Sequence, residues 1–249
     1  MLTDRQRLEY LDAMGIQVWR SKAIHLREQA GLASNNRGSL VDCSDIDPLS
    51  PEAVSNENSV EADIEKKWSD LESEVAVCKS CELHCSRTQT VFGVGSHRAS
   101  WMIIGEAPGA NEDQQGEPFV GRAGRLLNEM LRALELERKQ VFIANILKCR
   151  PPQNRDPQSE EVVACEHFLS QQVSLLKPKI ILAVGRVAAQ NLLKTDAPLS
   201  KLRGKVHYYG EFPVVVVYHP AYLLRSPFEK RKAWMDLQLA GSVMGNTGK

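Results

Sequence analysis

Four short apolar runs, WMIIG (101–105), VFIANI (141–146), IILAV (180–184) and VVVVY (214–218), are separated by stretches whose apolar residues return with a helical period. Those stretches are GRAGRLLNEMLRALEL, the Pro157-initiated PQSEEVVACEHFLSQQVSLL, and GRVAAQNLL. Runs that are apolar throughout are buried on both faces, which requires helices above and below them. The alternation therefore predicts an α/β fold with a parallel sheet between two helical layers. In such sheets ligands collect beyond the carboxyl ends of the strands, and here those ends carry Gly105 and Glu106, Asn145, Gly185 and His219.

The apolar content of 43% is enough for one substantial core, and the formal net charge of zero conceals a division along the chain. Residues 39–65 hold eight carboxylates and no Lys or Arg, which leaves residues 66–249 with 25 basic and 19 acidic groups. A cationic domain favours an anionic partner. Three segments are expected: a short amphipathic helix within residues 1–33, opened by Thr3 and Gln6 as a capping box; an acidic flexible linker over 34–65, rich in Ser, Asn, Asp and Glu; and a folded domain over 66–249. No run is apolar and long enough to span a bilayer, and the charged start is no signal peptide, so the protein is expected in the cytoplasm.

In a reducing compartment six cysteines point to metal or redox chemistry and away from a disulfide framework. Cys78 and Cys81 form a CxxC, Cys149 closes LKC, and Cys165 lies within a helical stretch. Four thiolates from three segments would enclose one metal centre; zinc, an iron–sulfur cluster, a redox pair and a turn with spare thiols all fit the spacing. Cys43 and Cys85 are read as ordinary residues.

Several stretches in fixed order, CxxC followed by RTQTVFGVG, then GEAPGANED, GEPFVGRAG, NILKCRPPQNRDP with Cys165 beyond it, and HPAYLLR, resemble a family 4 uracil-DNA glycosylase, the bacterial and archaeal type with an iron–sulfur cluster. The resemblance spans roughly residues 75–240. It implies a three-layer α/β fold with a central four-stranded parallel sheet, one [4Fe-4S] cluster on Cys78, Cys81, Cys149 and Cys165, and excision of uracil from single- or double-stranded DNA as the first step of base excision repair.

The glycine-rich loop after the first strand then cradles a nucleoside, with Gly105 and Gly109 allowing close backbone approach; it lacks the GK[ST] ending of a phosphate-binding loop. Phe119 is placed to stack on an everted pyrimidine, or else anchors its loop in the core. Asn145 carries the donor and acceptor that suit O4 and N3–H of uracil, or else ties down neighbouring backbone. His219, held extended by Pro220, is matched to a histidine that faces uracil O2 and steadies the departing base. Where the best-known uracil glycosylases have an aspartate this chain has Ala107, so water activation falls to Glu106 or its backbone, with Asn154. Glu112 is assigned to crowding the C5 position of thymine.

Arg155, Arg203, Lys205 and Arg225 are candidate phosphate contacts, and Leu223 or Leu224 a wedge into the gap left by the base; a solvated face or a core contact is the alternative for each. A covalent trap of the abasic sugar is disfavoured, because RSPFEKRKAW follows Arg225 with no KRRIH-like insertion. Two rival readings are a non-catalytic uracil-DNA binder on the same fold and a cysteine-stapled nucleic-acid module. RLEYLDAMGIQVW resembles the N-terminal peptide by which the psi subunit of bacterial replicative polymerase docks on the clamp loader; a helix folded back on the catalytic domain is the alternative. A monomer associated with the nucleoid is expected.

Overall fold

A computed structural model of the chain describes residues 51–246, with side chains from 61 to 245. The expected N-terminal helix and residues 34–50 of the linker lie outside the described residues. The elements in order are α1 (Pro51–Val77), β1 (Val94–Gly95), β2 (Trp101–Gly105), α2 (Ala110–Gln115), α3 (Gly121–Ala133), β3 (Phe142–Asn145), α4 (Ser159–Leu176), β4 (Ile180–Val184), α5 (Arg186–Leu193), α6 (Leu199–Leu202), β5 (Val206–Tyr209), β6 (Phe212–Val217), α7 (Pro220–Arg225) and α8 (Lys230–Asn246).

The strands order as β1-β3-β2-β4-β6-β5 in one sheet. Its four central members run parallel, with Ile103 opposite Ile143 and Leu182, and Leu182 opposite Val215. These are the four apolar runs of the sequence. The sheet is nevertheless six-stranded and mixed, because β1 and β5 add antiparallel edges. β1 has only two residues, and β5 joins β6 through a tight hairpin at Gly210, whose φ of 59° lies in the left-handed region.

Side chains alternate across the sheet as strand geometry demands. Met102, Ile104, Phe142, Ala144, Ile181, Ala183, Val214 and Val216 pack with Trp68 and Leu71 of α1, Phe168 and Leu169 of α4, and Ala188 and Leu192 of α5. Trp101, Ile103, Ile143, Leu182, Val184, Val215 and Val217 face Leu127 and Met130 of α3 and Ala233 and Leu237 of α8. Three layers result.

The acidic segment expected as linker over 34–65 requires a correction, since residues 51–65 are the N-terminal half of α1. Glu61 pairs with Arg98 at 2.9 Å and Glu65 with His97 at 2.9 Å, while Trp68 stacks on His97 and is buried. These partners lie some thirty positions away in sequence, so local composition does not reveal them.

Candidate active site

The chain passes from β2 to β3 on one side and then to β4 on the other, and beyond this switch point opens a cleft of about 700 Å³. Glu106, Ala107, Gly109, Glu112, Phe119, Asn145, Asn154, His219 and Arg225, nine of the residues singled out in the sequence, line it together.

Asn145 ends β3 and is 2% exposed. Its backbone carbonyl accepts from Lys148 Nζ at 2.9 Å, but its side-chain amide makes no hydrogen bond with any described residue. Its polar atoms open onto the cleft instead of being sealed in the core, so a ligand entering there can pair with them. Gly105 makes room for it: a Cβ there would fall 2.4 Å from Asn145 Oδ1 and 2.6 Å from the Phe119 ring.

Phe119 is buried and its ring centroid lies 5.5 Å from that of His219 with the planes inclined by 30°. Its φ of 52° is left-handed, an uncommon state for a bulky residue. Three neighbours hold it there. Arg138 donates to the Pro118 carbonyl and, at 3.3 Å, to the Phe119 carbonyl; Glu112 accepts from the Val120 amide at 3.0 Å; and Gly124 leaves space where a Cβ would sit 1.7 Å from the Phe119 carbonyl oxygen.

His219 caps α7, its Nδ1 accepting the Ala221 amide proton at 3.1 Å. Burial, aided by the charge of Arg225, lowers its pKa to about 4, so the ring is neutral near pH 7. With Nδ1 occupied as an acceptor, the one N–H of the neutral ring is on Nε2. Glu106 is shifted the opposite way: burial, with Asp156 adding to it and Arg186 opposing, raises its pKa to about 7. Arg186 lines the cleft and pairs with Asp156 at 2.5 Å. Asn154 lies at a φ of 55°, and its Oδ1 accepts from Arg150 Nε at 2.7 Å, leaving its NH₂ as the free donor.

The four selected cysteines also converge. Cys78, Cys81, Cys149 and Cys165 line a second cavity, together with Arg87 and Lys148, whereas Cys85 is exposed and outside it. Arg87 donates to Cys149 Sγ at 3.0 Å and the Lys148 amide to Cys165 Sγ at 3.4 Å. Burial raises the pKa of both Cys149 and Cys165, the latter to about 11, so thiolates here would need a metal centre to hold them.

Three of the expected DNA contacts need correction. Leu223 is 1% exposed and belongs to the core behind α7, so it cannot wedge. Arg203 is committed to Asp236 at 2.6 Å and stacks over Tyr218 at 4.1 Å. Arg155 forms a two-pronged pair with Glu161 at 2.9 and 2.5 Å, which fixes the start of α4. Lys205 is exposed at the end of β5 level with the cleft end of β6, and Leu224 is exposed on α7.

Sequence reasoning missed Arg138, Gly124, Lys148 and Asp113. Asp113 is buried and accepts from the Thr88 amide at 2.9 Å and its hydroxyl at 2.8 Å, joining α2 to the segment after the CxxC. Only Lys148, a lone charge after the apolar Ile146 and Leu147 in NILKC, carried a local signal.

The profile of the Uracil DNA glycosylase superfamily matches residues 92–238. A type-4 uracil-DNA glycosylase of Archaeoglobus fulgidus is 41% identical over 71% of this chain and 92% of its own length. The protein of that name from Thermotoga maritima is 41% identical over 70% and 93%, and that from Sulfurisphaera tokodaii 45% identical over 63% and 76%. The chain belongs to the uracil DNA glycosylase superfamily and, within it, to the type-4 uracil-DNA glycosylases.

Proposed function

We propose that this protein everts uracil from DNA and hydrolyses its N-glycosidic bond, leaving an abasic site and so initiating base excision repair. The observation that carries the reading is the buried Asn145 amide, unpartnered among the described residues and facing the same cleft as Phe119 and His219. An amide oxygen and NH₂ in that position select N3–H and O4 of uracil, while cytosine offers the opposite pair. Phe119 stacks on the base. Glu112 excludes the thymine methyl.

As the C1′–N1 bond breaks, its electron pair stays with the base, and Nε2–H of the neutral His219 donates to O2 where negative charge accumulates. Water adds to C1′ and passes its proton to Glu106, whose raised pKa makes it an effective base near neutrality. The Asn154 NH₂ orients that water. Uracil leaves as the anion and is protonated by solvent.

Cys78, Cys81, Cys149 and Cys165 are the residues that would hold a [4Fe-4S] cluster. Their four thiols, drawn from three chain segments, line one cavity, and four cysteines are the donor set that such a cluster takes. When bound, the cluster ties three chain segments together and takes no part in bond cleavage.

Phosphate contact falls to Lys205 and Arg225, with Leu224 as the wedge. The N-terminal segment tethers the monomeric enzyme to a clamp loader; deletion of residues 1–38 that leaves capture of replication proteins unchanged removes that part. Among the described residues no helix is long and apolar enough to cross a membrane. Incubation with a labelled single-uracil oligonucleotide followed by alkali tests the main reading. Strand scission at the uracil supports it; binding with no scission identifies a non-catalytic sensor instead.

A further inference from the structure

Beside the cleft runs a second groove of about 440 Å³, walled by Arg122, Arg125, Glu129 and Arg132 of α3 and by Leu224 of α7. The two concavities share walls. Ala123 of α3 and Tyr222 and Arg225 of α7 face the cleft, while their immediate neighbours Arg122 and Leu224 face the groove. Arg132 is partly neutralised by Glu129 at 2.6 Å. Arg122 and Arg125 are exposed and, among the described residues, have no acidic partner. The first turn of α3 contains no acidic residue either, so these two charges add to the positive end of the helix dipole. Folding alone disfavours that arrangement.

We infer that this groove binds the sugar–phosphate backbone of the DNA strand that carries the everted nucleotide, on the flank bounded by Leu224. The inference rests on the uracil-DNA reading of the cleft. Arg122 and Arg125 are three residues apart on a helix, about 4.5 Å along its axis, and both line the same groove. Two neighbouring unpaired guanidiniums on flexible side chains can therefore engage phosphates of one strand. Their contribution is to hold the strand, not to read or cleave the base.

The test compares the parent with R122A/R125A and R122K/R125K on a long single strand with one uracil, on a uracil trinucleotide too short to reach the groove, and on a long uracil-free strand followed by fluorescence anisotropy. In the alanine pair, the slope of log affinity against log salt for the uracil-free strand should flatten by about 1.4, at roughly 0.7 per phosphate released. Its kcat/KM on the long substrate should fall at least about tenfold at moderate salt, with trinucleotide turnover unchanged. The lysine pair, which keeps the charge, should retain most of the parental slope. Thermal melting of the alanine pair should equal or exceed that of the parent, since removing charge from this end of α3 relieves the dipole. An unchanged salt slope and unchanged kcat/KM on the long substrate would overturn the inference. A parent that releases uracil from no substrate defeats the glycosylase reading alone, because the anisotropy arm still decides whether the arginines bind the strand.

Discussion

The Cα hydrogen of Gly105 points at Asn145: a methyl group in its place would come within 2.4 Å of Asn145 Oδ1 and 2.6 Å of the Phe119 ring. One missing side chain on β2 thus sets the position of the amide on β3 and of the aromatic face beside it. Because β2 is bonded on both sides, by β3 and β4, its backbone has no room to retreat. Gly105→Ala should lower kcat/KM for uracil release by about two orders of magnitude, the cost of displacing a positioned group by about an ångström. Single-turnover assays check the rate, and circular dichroism checks that the sheet persists.

His219→Ala should reduce kcat by about 10²–10³-fold, the usual loss when one donor to a developing anion is removed. The folded-state pKa of His219 lies below that of the unfolded chain, so the unfolded state takes up the extra proton as pH falls from about 6.5 toward about 4. Stability should decline across that window in the parent and less in His219→Ala. Denaturant melts at pH 7 and pH 5 measure the difference.

Glu106 predicts a pH profile with the opposite stability sign. Activity should rise with pH through an apparent pKa of about 7, and Glu106→Gln should abolish that limb along with most of the turnover. Its folded pKa is raised, so the carboxyl costs stability as pH climbs from about 4.5 through about 7. Glu106→Gln should therefore melt above the parent at pH 8 and level with it at pH 4.5.

Lys148 is fully buried, donating to the Asn145 carbonyl at 2.9 Å and to Gln172 Oε1 at 2.6 Å, while Gln172 Nε2 donates to the Phe92 carbonyl at 3.0 Å. Burial lowers its pKa to about 8. Lys148→Met leaves two buried acceptors unsatisfied and should destabilise the protein by about 1–3 kcal/mol for each acceptor left unpaired. Uracil release should weaken through KM more than His219→Ala does, because the group that has lost its support is the one that selects the base.

Cys165→Ser should bleach the visible absorption of the purified protein and lower its melting temperature, whereas Cys85→Ser should change neither. Retained colour in Cys165→Ser removes that residue from the ligand set.

The sheet and most of the cleft were legible because their signals are local. An unbroken apolar run means a strand buried on both faces, and the residue that ends such a run in a parallel sheet faces the ligand crevice; Gly105, Asn145, Gly185 and His219 follow from that rule alone. The assignments that changed depended on three-dimensional contacts that local composition does not show. Arg203 and Arg155 read as surface cations until Asp236 and Glu161 meet them, and Leu223 and Leu224 are neighbours that one residue step of about 100° along α7 sends to the core and to solvent. The acidic stretch before Trp68 became helix through Arg98 and His97. Phe119 was read for its ring, but its left-handed backbone, held by Arg138 and the bare Gly124, gave no sign in the sequence.

Only three residues separate Asn145 from Cys149, and the last of them, Lys148, reaches into the layer beneath the sheet. Oxidative injury at the thiol cage would thus reach the amide that reads the base along a few peptide bonds.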